Sequence, residues 1–217
     1  MRTRNEALRR QTKIGFIEAA TELIDEYGIE NVTIRMISQK FGLHNSTIYR
    51  YFHDADQLLL LASLKYFSEY SHTLYELSSS EWNAKENFYF VWDCFTTSML
   101  KQPQIFYHFF FGKHGADFSQ LTEEYYDLFP EERDDEQNNY LPNLYMSCGA
   151  DIIERCLTIL QPLINTDTKV TPDNLQMINE LTVSYMRYIL YQKCQDPELD
   201  SDILKKKMMD SLHYLVG

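Results

Sequence analysis

The sequence predicts an all-α protein built as a small N-terminal head and a larger helical body. Three observations carry this. Apolar residues recur at three- and four-residue steps along nearly the whole chain, one face of a 3.6-residue period. Long alternating apolar segments and Asn-Gly or Asp-Gly hairpin turns are scarce. Charge and aromatic content also divide the chain. Residues 1–50 hold eight bases and six acids, whereas the other 167 hold 12 bases and 26 acids. Of 31 Phe, Tyr and Trp, six lie in residues 1–52. A basic head and an acidic, aromatic-rich body suggest two jobs.

The elements follow in order. Ile14, Ile17, Ala20, Leu23, Ile24 and Tyr27 predict a first helix over 5–27, stopped at Gly28. Thr33 is an N-cap for a short helix over 34–41, ended by Gly42. Asn45 would cap a third through Phe52, and Asp54 a fourth over 55–78. Further helices are expected near 83–101, 103–112, 117–129, 144–161, 173–194 and 199–215, with the acidic stretch 130–143 a loop. Thr171-Pro172-Asp173 reads as the cap and first turn of the helix over 173–194.

Composition excludes several classes. An apolar content of 44% with only 7 Gly and 6 Pro rules out wholesale disorder and collagen-like structure. No apolar run is long enough to span a bilayer, and no secretory leader opens the chain. Cys94, Cys148, Cys156 and Cys194 are scattered and read as reduced thiols of a cytoplasmic protein. His108 and His114 lack a third ligand at fitting spacing, so no metal or other cofactor is expected. No nucleophile elbow, Walker loop, dinucleotide fingerprint or zinc-protease motif appears, so no catalytic residues are assigned and the chain reads as a non-enzyme.

Residues 34–52 have the spacing of a helix-turn-helix. Ile37, Phe41, Leu43, Ile48, Tyr51 and Phe52 are apolar where two crossed helices must touch, with Ser38 small at their closest approach and Gly42 in the turn. Between them lie His44, Asn45, Ser46, Thr47, Tyr49 and Arg50, polar residues at the start of the second helix, the surface that enters a major groove. Asn suits adenine, Arg suits guanine or phosphate, and Ser or Thr serves either.

The runs Ile17–Ile24, Tyr27-Gly28, Val32–Ile37, Phe41-Gly42-Leu43 and Ser46–Phe52 resemble the tetracycline-repressor (TetR) family of bacterial regulators over about residues 10–65. The resemblance implies a DNA-binding domain over 1–54 and a ligand-binding and dimerisation domain over 55–217. It implies phosphate contact by Thr33 at a helix start, base or groove contacts by Asn45, Ser46, Thr47 and Arg50, and backbone contacts by Tyr49 and Tyr51. Arg35, His44 and His53 complete the DNA-contacting set. The chain departs from the family at Ala55, where a phosphate-contacting Lys is usual, and Asp54 and Asp56 flank it. That departure motivates a second reading, a binding protein with a degenerate helix-turn-helix. The favoured role for Asp54 is to cap the fourth helix.

In the body, Phe88, Trp92, Phe95, Phe106, Phe109, Phe110 and Tyr126 are candidate walls of a pocket for a small apolar or aromatic inducer, and the acidic stretch 117–136 would suit a cationic one. Ordinary core packing is the competing reading of the same rings. Surplus apolar surface on the helices over 144–161 and 173–194 predicts a homodimer there. The expected partners are thus a palindromic double-stranded DNA operator, a small-molecule inducer and a second copy, with no membrane. The favoured function is a ligand-responsive repressor.

Overall fold

A computed structural model of the chain describes residues 2–77, 82–113, 118–132 and 152–217. Among them the long elements are all helical: α1 Arg2–Tyr27, α2 Ile34–Phe41, α3 Asn45–Ile48, α4 Ala55–Leu77, α5 Ala84–Lys101, α6 Pro103–Phe111, α7 Phe118–Leu128, α8 Ile152–Leu160, α9 Leu175–Gln195 and α10 Ser201–Val216. The expected all-α class holds. The expectations placed on 133–151, with Cys148, and on His114 lie outside the described residues. By backbone proximity the chain forms two units, Met1–Phe67 with Gln120–Arg133, and Ser68–Ser119 with Asp134–Gly217.

In the first unit Phe16 is the anchor of α1. It lies on the expected apolar face, though outside the stripe drawn from Ile14 to Tyr27, and is fully buried. Its ring centroid lies 4.6 Å from Phe41, 5.9 Å from Tyr51 and 6.2 Å from Phe52. Phe41 approaches α1 so closely that a Cβ on Gly15 would stand 2.2 Å from its ring. Phe16, Ile17, Ile37 and Ile48 are all essentially inaccessible, each contributing roughly 1.5–3 kcal/mol over an exposed side chain. Tyr27, expected in the core, is 47% exposed because it is the last residue of α1.

Polar contacts fix α1 to its neighbours. Thr21 Oγ1 donates to the Ala62 carbonyl at 2.8 Å, and Lys65 Nζ pairs with Asp25 at 2.6 Å, where the Tyr66 hydroxyl also donates. Arg10 donates to the carbonyls of Asp127 and Leu128 at 2.7 and 2.9 Å, covering acceptors that the end of α7 leaves without helical partners. Lys13 pairs with Glu124 of α7 and lies 5.2 Å from the Phe52 ring centroid.

In the second unit Asn83 and Glu86 form a capping box at the start of α5. Pro103 opens α6 as expected from its missing N–H. Helices α6 and α8 pack on α9, and α10 packs on α5 and α9. Leu204, Met208, Leu212 and Val216 recur at four-residue steps along the buried side of α10. The start of α9 differs from expectation. Residues 171–174 form a turn, in which Asn174 Oδ1 accepts from Thr171 N at 2.8 Å and Asn174 Nδ2 donates to the Lys169 carbonyl at 2.8 Å. That side chain is committed to the turn, so the helix begins at Leu175 rather than at Asp173.

Candidate nucleic-acid interface

Helix α2 begins where the sequence places it. Thr33 holds an extended backbone and its Oγ1 accepts from Met36 N at 3.3 Å. At the far end Gly42 has φ 81° and ψ 23°, while its N–H and that of Leu43 both bond the Ser38 carbonyl, at 2.9 and 3.0 Å. No atom lies within 4 Å of the position a Cβ would take, so backbone conformation alone demands glycine here. Ser38 is buried as its small size suggested, but Leu43 is 41% exposed. The left-handed turn carries Leu43 outward, and it is not part of the core.

The cap of α3 is His44 rather than Asn45. His44 Nδ1 accepts from Ser46 N at 3.3 Å and stands 2.9 Å from Ser46 Oγ. Asn45 becomes the first helical residue, with its side chain exposed. The α-helix is shorter than the expected 45–52 and ends at Ile48. The chain then tightens, with Arg50 N bonded to the Thr47 carbonyl at 3.1 Å and Tyr51 N to that of Ile48 at 2.9 Å. Both Ile48 and Phe52 reach the core on either side of this turn.

The core fixes that backbone and leaves one polar row outside. His44, Asn45, Ser46, Tyr49 and Arg50 are exposed and Thr47 is half-buried. Thr33, Arg35 and His53 are also exposed. Tyr51 is half-buried, 5.9 Å from Phe16 on one side and 6.0 Å from the Arg9 guanidinium on the other. Arg9 also donates to the Arg50 carbonyl at 3.3 Å. A shallow groove of about 270 Å³ runs here, lined by Asn5, Leu8, Arg9, Arg50 and Tyr51. The charge of Arg9 there suits a phosphate. The sequence shows Arg9 only as one of the eight bases of the head and gives no sign of Asn5 or Leu8, because no spacing rule joins residues 5–9 to 50–51.

Asp54 Oδ1 accepts from Gln57 N at 2.9 Å, and Gln57 Oε1 accepts in turn from His53 N at 2.6 Å. This carboxylate is thus engaged at the first turn of α4, where the helix dipole favours it.

Residues 16–62, which span this whole unit of turn and helices, match the model of the bacterial regulatory proteins, tetR family. That segment is a DNA-binding domain of the tetR family. The fold agrees along almost the full length. FadR from Thermus thermophilus, a transcriptional repressor solved with lauroyl-CoA, superposes with a TM-score of 0.57 at 12% identity over 94% of this chain and 92% of that one. RolR, solved with resorcinol, gives 0.51 at 16% over 94% and 89%. SmeT, the repressor of the Stenotrophomonas maltophilia efflux pump SmeDEF, gives 0.50 at 12% over 94% and 90%. At these identities the likeness is one of fold. No curated protein matches the sequence.

Helices α2 and α3 are therefore the helix-turn-helix of a tetR-family DNA-binding domain. In the second unit Phe88, Trp92, Phe95, Phe106 and Phe109 are buried and Phe110 is half-buried. Phe95 is their hub, with ring centroids 5.8 Å from Trp92, 5.8 Å from Phe106 and 5.7 Å from Phe110. Tyr126 falls in the first unit, 5.7 Å from Tyr125. Of the dimer candidates, Ile152, Cys156 and Leu160 are core, as are Ile178, Val183, Met186, Ile189 and Leu190. What α9 exposes is a stripe at 3.5-residue spacing: Met177, Leu181, Ser184, Tyr188 and Tyr191. No helix among the described residues is long and apolar enough to cross a membrane.

Proposed function

We propose that this regulator is a repressor that binds a palindromic operator as a homodimer and leaves it when an apolar or aromatic small molecule occupies the body. The observation that carries the reading is the exposed row His44, Asn45, Ser46, Tyr49 and Arg50 on a backbone held by Ile48 and Phe52. Asn45, Ser46, Thr47 and Arg50 read base edges, while Thr33, Tyr49, Tyr51 and His53 position the head on phosphates, with Arg35 and His44 flanking them. Engagement of Asp54 at the start of α4 supports this over a degenerate head, since the carboxylate has a structural task independent of DNA.

The stripe on α9 supports dimerisation. Four large apolar or aromatic side chains, each about half exposed, follow one seam with Ser184 between them. Two copies joined there across a two-fold axis require half-sites about one helical turn apart, or a multiple of it. The presence of lauroyl-CoA in FadR and of resorcinol in RolR supports a small-molecule effector for this fold. The effector acts by its differential affinity for two arrangements of the dimer, and coupling of about 1–3 kcal/mol would weaken the operator roughly 5–150-fold. A gel-shift titration on the DNA upstream of the protein's own gene tests the reading. Sequence-specific retardation is expected, and binding no tighter than to shuffled DNA would refute it.

A further inference from the structure

We infer that Arg9, which stands outside the expected DNA-contacting set, holds a DNA backbone phosphate in the groove between α1 and the turn after α3. This rests on the DNA-binding reading and adds a contact from α1 to that surface. Arg9, Arg10 and Lys13 follow one another on α1 and differ in their partners. Arg10 is committed to the carbonyls of Asp127 and Leu128, and Lys13 to Glu124, all on α7. Arg9 is exposed and meets no carboxylate among the described residues. Its Nη2 donates to the Arg50 carbonyl at 3.3 Å, and its guanidinium lies 6.0 Å from the Tyr51 ring centroid. Neither contact neutralises the charge, and one bond leaves the rest of the guanidinium's N–H fork without an acceptor. A cation held in place and not neutralised favours an anion that comes to it.

The groove beside it, of about 270 Å³, is lined by Asn5, Leu8, Arg9, Arg50 and Tyr51, and no acidic residue lines it. Asparagine can supply an amide donor and tyrosine a hydroxyl to a phosphate oxygen. Leu8 is 62% exposed and suits the C–H face of a deoxyribose. Arg50 and Tyr51 belong to the surface already read as facing DNA, so the groove continues that surface onto α1. The anion brought there by continuity is a phosphodiester of the duplex. Because the tip of Arg9 is tied to the Arg50 carbonyl, its charge is offered at the surface of the head and not extended into a minor groove.

The test compares the full-length parent, R9Q and R9K on the duplex upstream of the protein's own gene and on a shuffled duplex, over a range of salt. Circular dichroism checks that each variant is folded. R9Q should lower the slope of log affinity against log salt by about one on both duplexes, leaving binding roughly eightfold weaker at about 0.1 M salt. R9K keeps the charge and should keep the parental slope. Single methylphosphonate replacements across the footprinted site should reveal one phosphate in each half-site whose neutralisation weakens the parent but not R9Q. A parental slope in R9Q would make Arg9 at most a support of the Arg50 turn and overturn the inference. So would a slope in R9K equal to that of R9Q, or the absence of any phosphate felt by the parent alone. A parent that prefers the upstream duplex while R9Q matches its slope fails this inference and leaves the repressor reading intact. A parent that binds both duplexes alike fails the repressor reading, and the slope of R9Q on shuffled DNA still decides the role of Arg9. Binding to neither duplex would end both.

Discussion

Replacing Gly15 by Ala tests how tightly the head is assembled. In an open helix this change stabilises by about 1 kcal/mol, because Ala loses less backbone freedom than Gly. Here the new methyl would lie 2.2 Å from one Phe41 ring atom and 2.6 Å from another, so a side chain or a helix must move. Overpacking of a filled core costs about 1–3 kcal/mol. Phe41 is confined in turn by Phe16, 4.6 Å away, which is fully buried. The clash therefore exceeds the helical gain, and a net loss of roughly 0–2 kcal/mol is expected. The assay is urea unfolding followed by helical circular dichroism. The double variant G15A/F41L removes the offending ring and should recover part of the loss, giving a coupling above the scatter of about 0.5 kcal/mol seen for independent sites. A G15A protein more stable than the parent by about 1 kcal/mol would refute the close approach of α1 and α2.

Three other outcomes follow from the structure. Partial burial raises the Asp25 carboxyl, but the bonds from Lys65 and Tyr66 outweigh it and hold the group below its ordinary value, so its stabilisation is full above about pH 4 and disappears as pH falls through the lowered value; D25N should lower stability at pH 7 and narrow the gap to the parent at pH 3, and equal losses at both would contradict this. Removing the guanidinium in R10A exposes the carbonyls of Asp127 and Leu128 and should cost about 1 kcal/mol, read by amide hydrogen exchange at the end of α7, whereas unchanged protection would discount the contact. Substituting Leu181 and Tyr188 together by Glu should shift sedimentation from dimer to monomer without loss of helix, and an unchanged dimer would remove the α9 stripe from the interface.

Legibility in the sequence followed the range of the interactions. The bounds of α2, the caps at Thr33 and Asp54 and the left-handed turn at Gly42 are local matters of backbone and side chain within four residues, and each was readable. Substituting His44 for Asn45 as the α3 cap is a one-residue displacement between two competent acceptors, which propensity does not resolve. Long-range contacts were not readable. Nothing in the spacing announced that Phe41 needs Gly15 bare, that Arg9 supports the Arg50 turn, or that Arg10 and Lys13 reach α7 instead of standing free for DNA. The aromatic stripe of α5 and α6 was visible as apolar pattern, but the place of Phe95 as its hub emerged only from the packing. Apolar surplus on α9 was likewise visible, while the division between core residues Ile178, Met186 and Ile189 and exposed residues Leu181 and Tyr188 required the packing of its neighbours.

Operator binding by single variants over a range of salt decides whether α2, α3 and the turn that follows them present a sequence-reading surface. Arg50→Ala and Tyr49→Ala leave the buried core untouched, since both side chains are exposed. Loss of a base contact should weaken the cognate site by about 1–3 kcal/mol and relax selectivity at one position. Loss of a phosphate contact should weaken all sequences alike and reduce the salt slope by about one. Arg50→Ala should show the first pattern, and Tyr49→Ala should weaken binding by the second route without the salt change, since its hydroxyl is uncharged. Parental affinity in both folded variants, for the operator and for shuffled DNA, would contradict it.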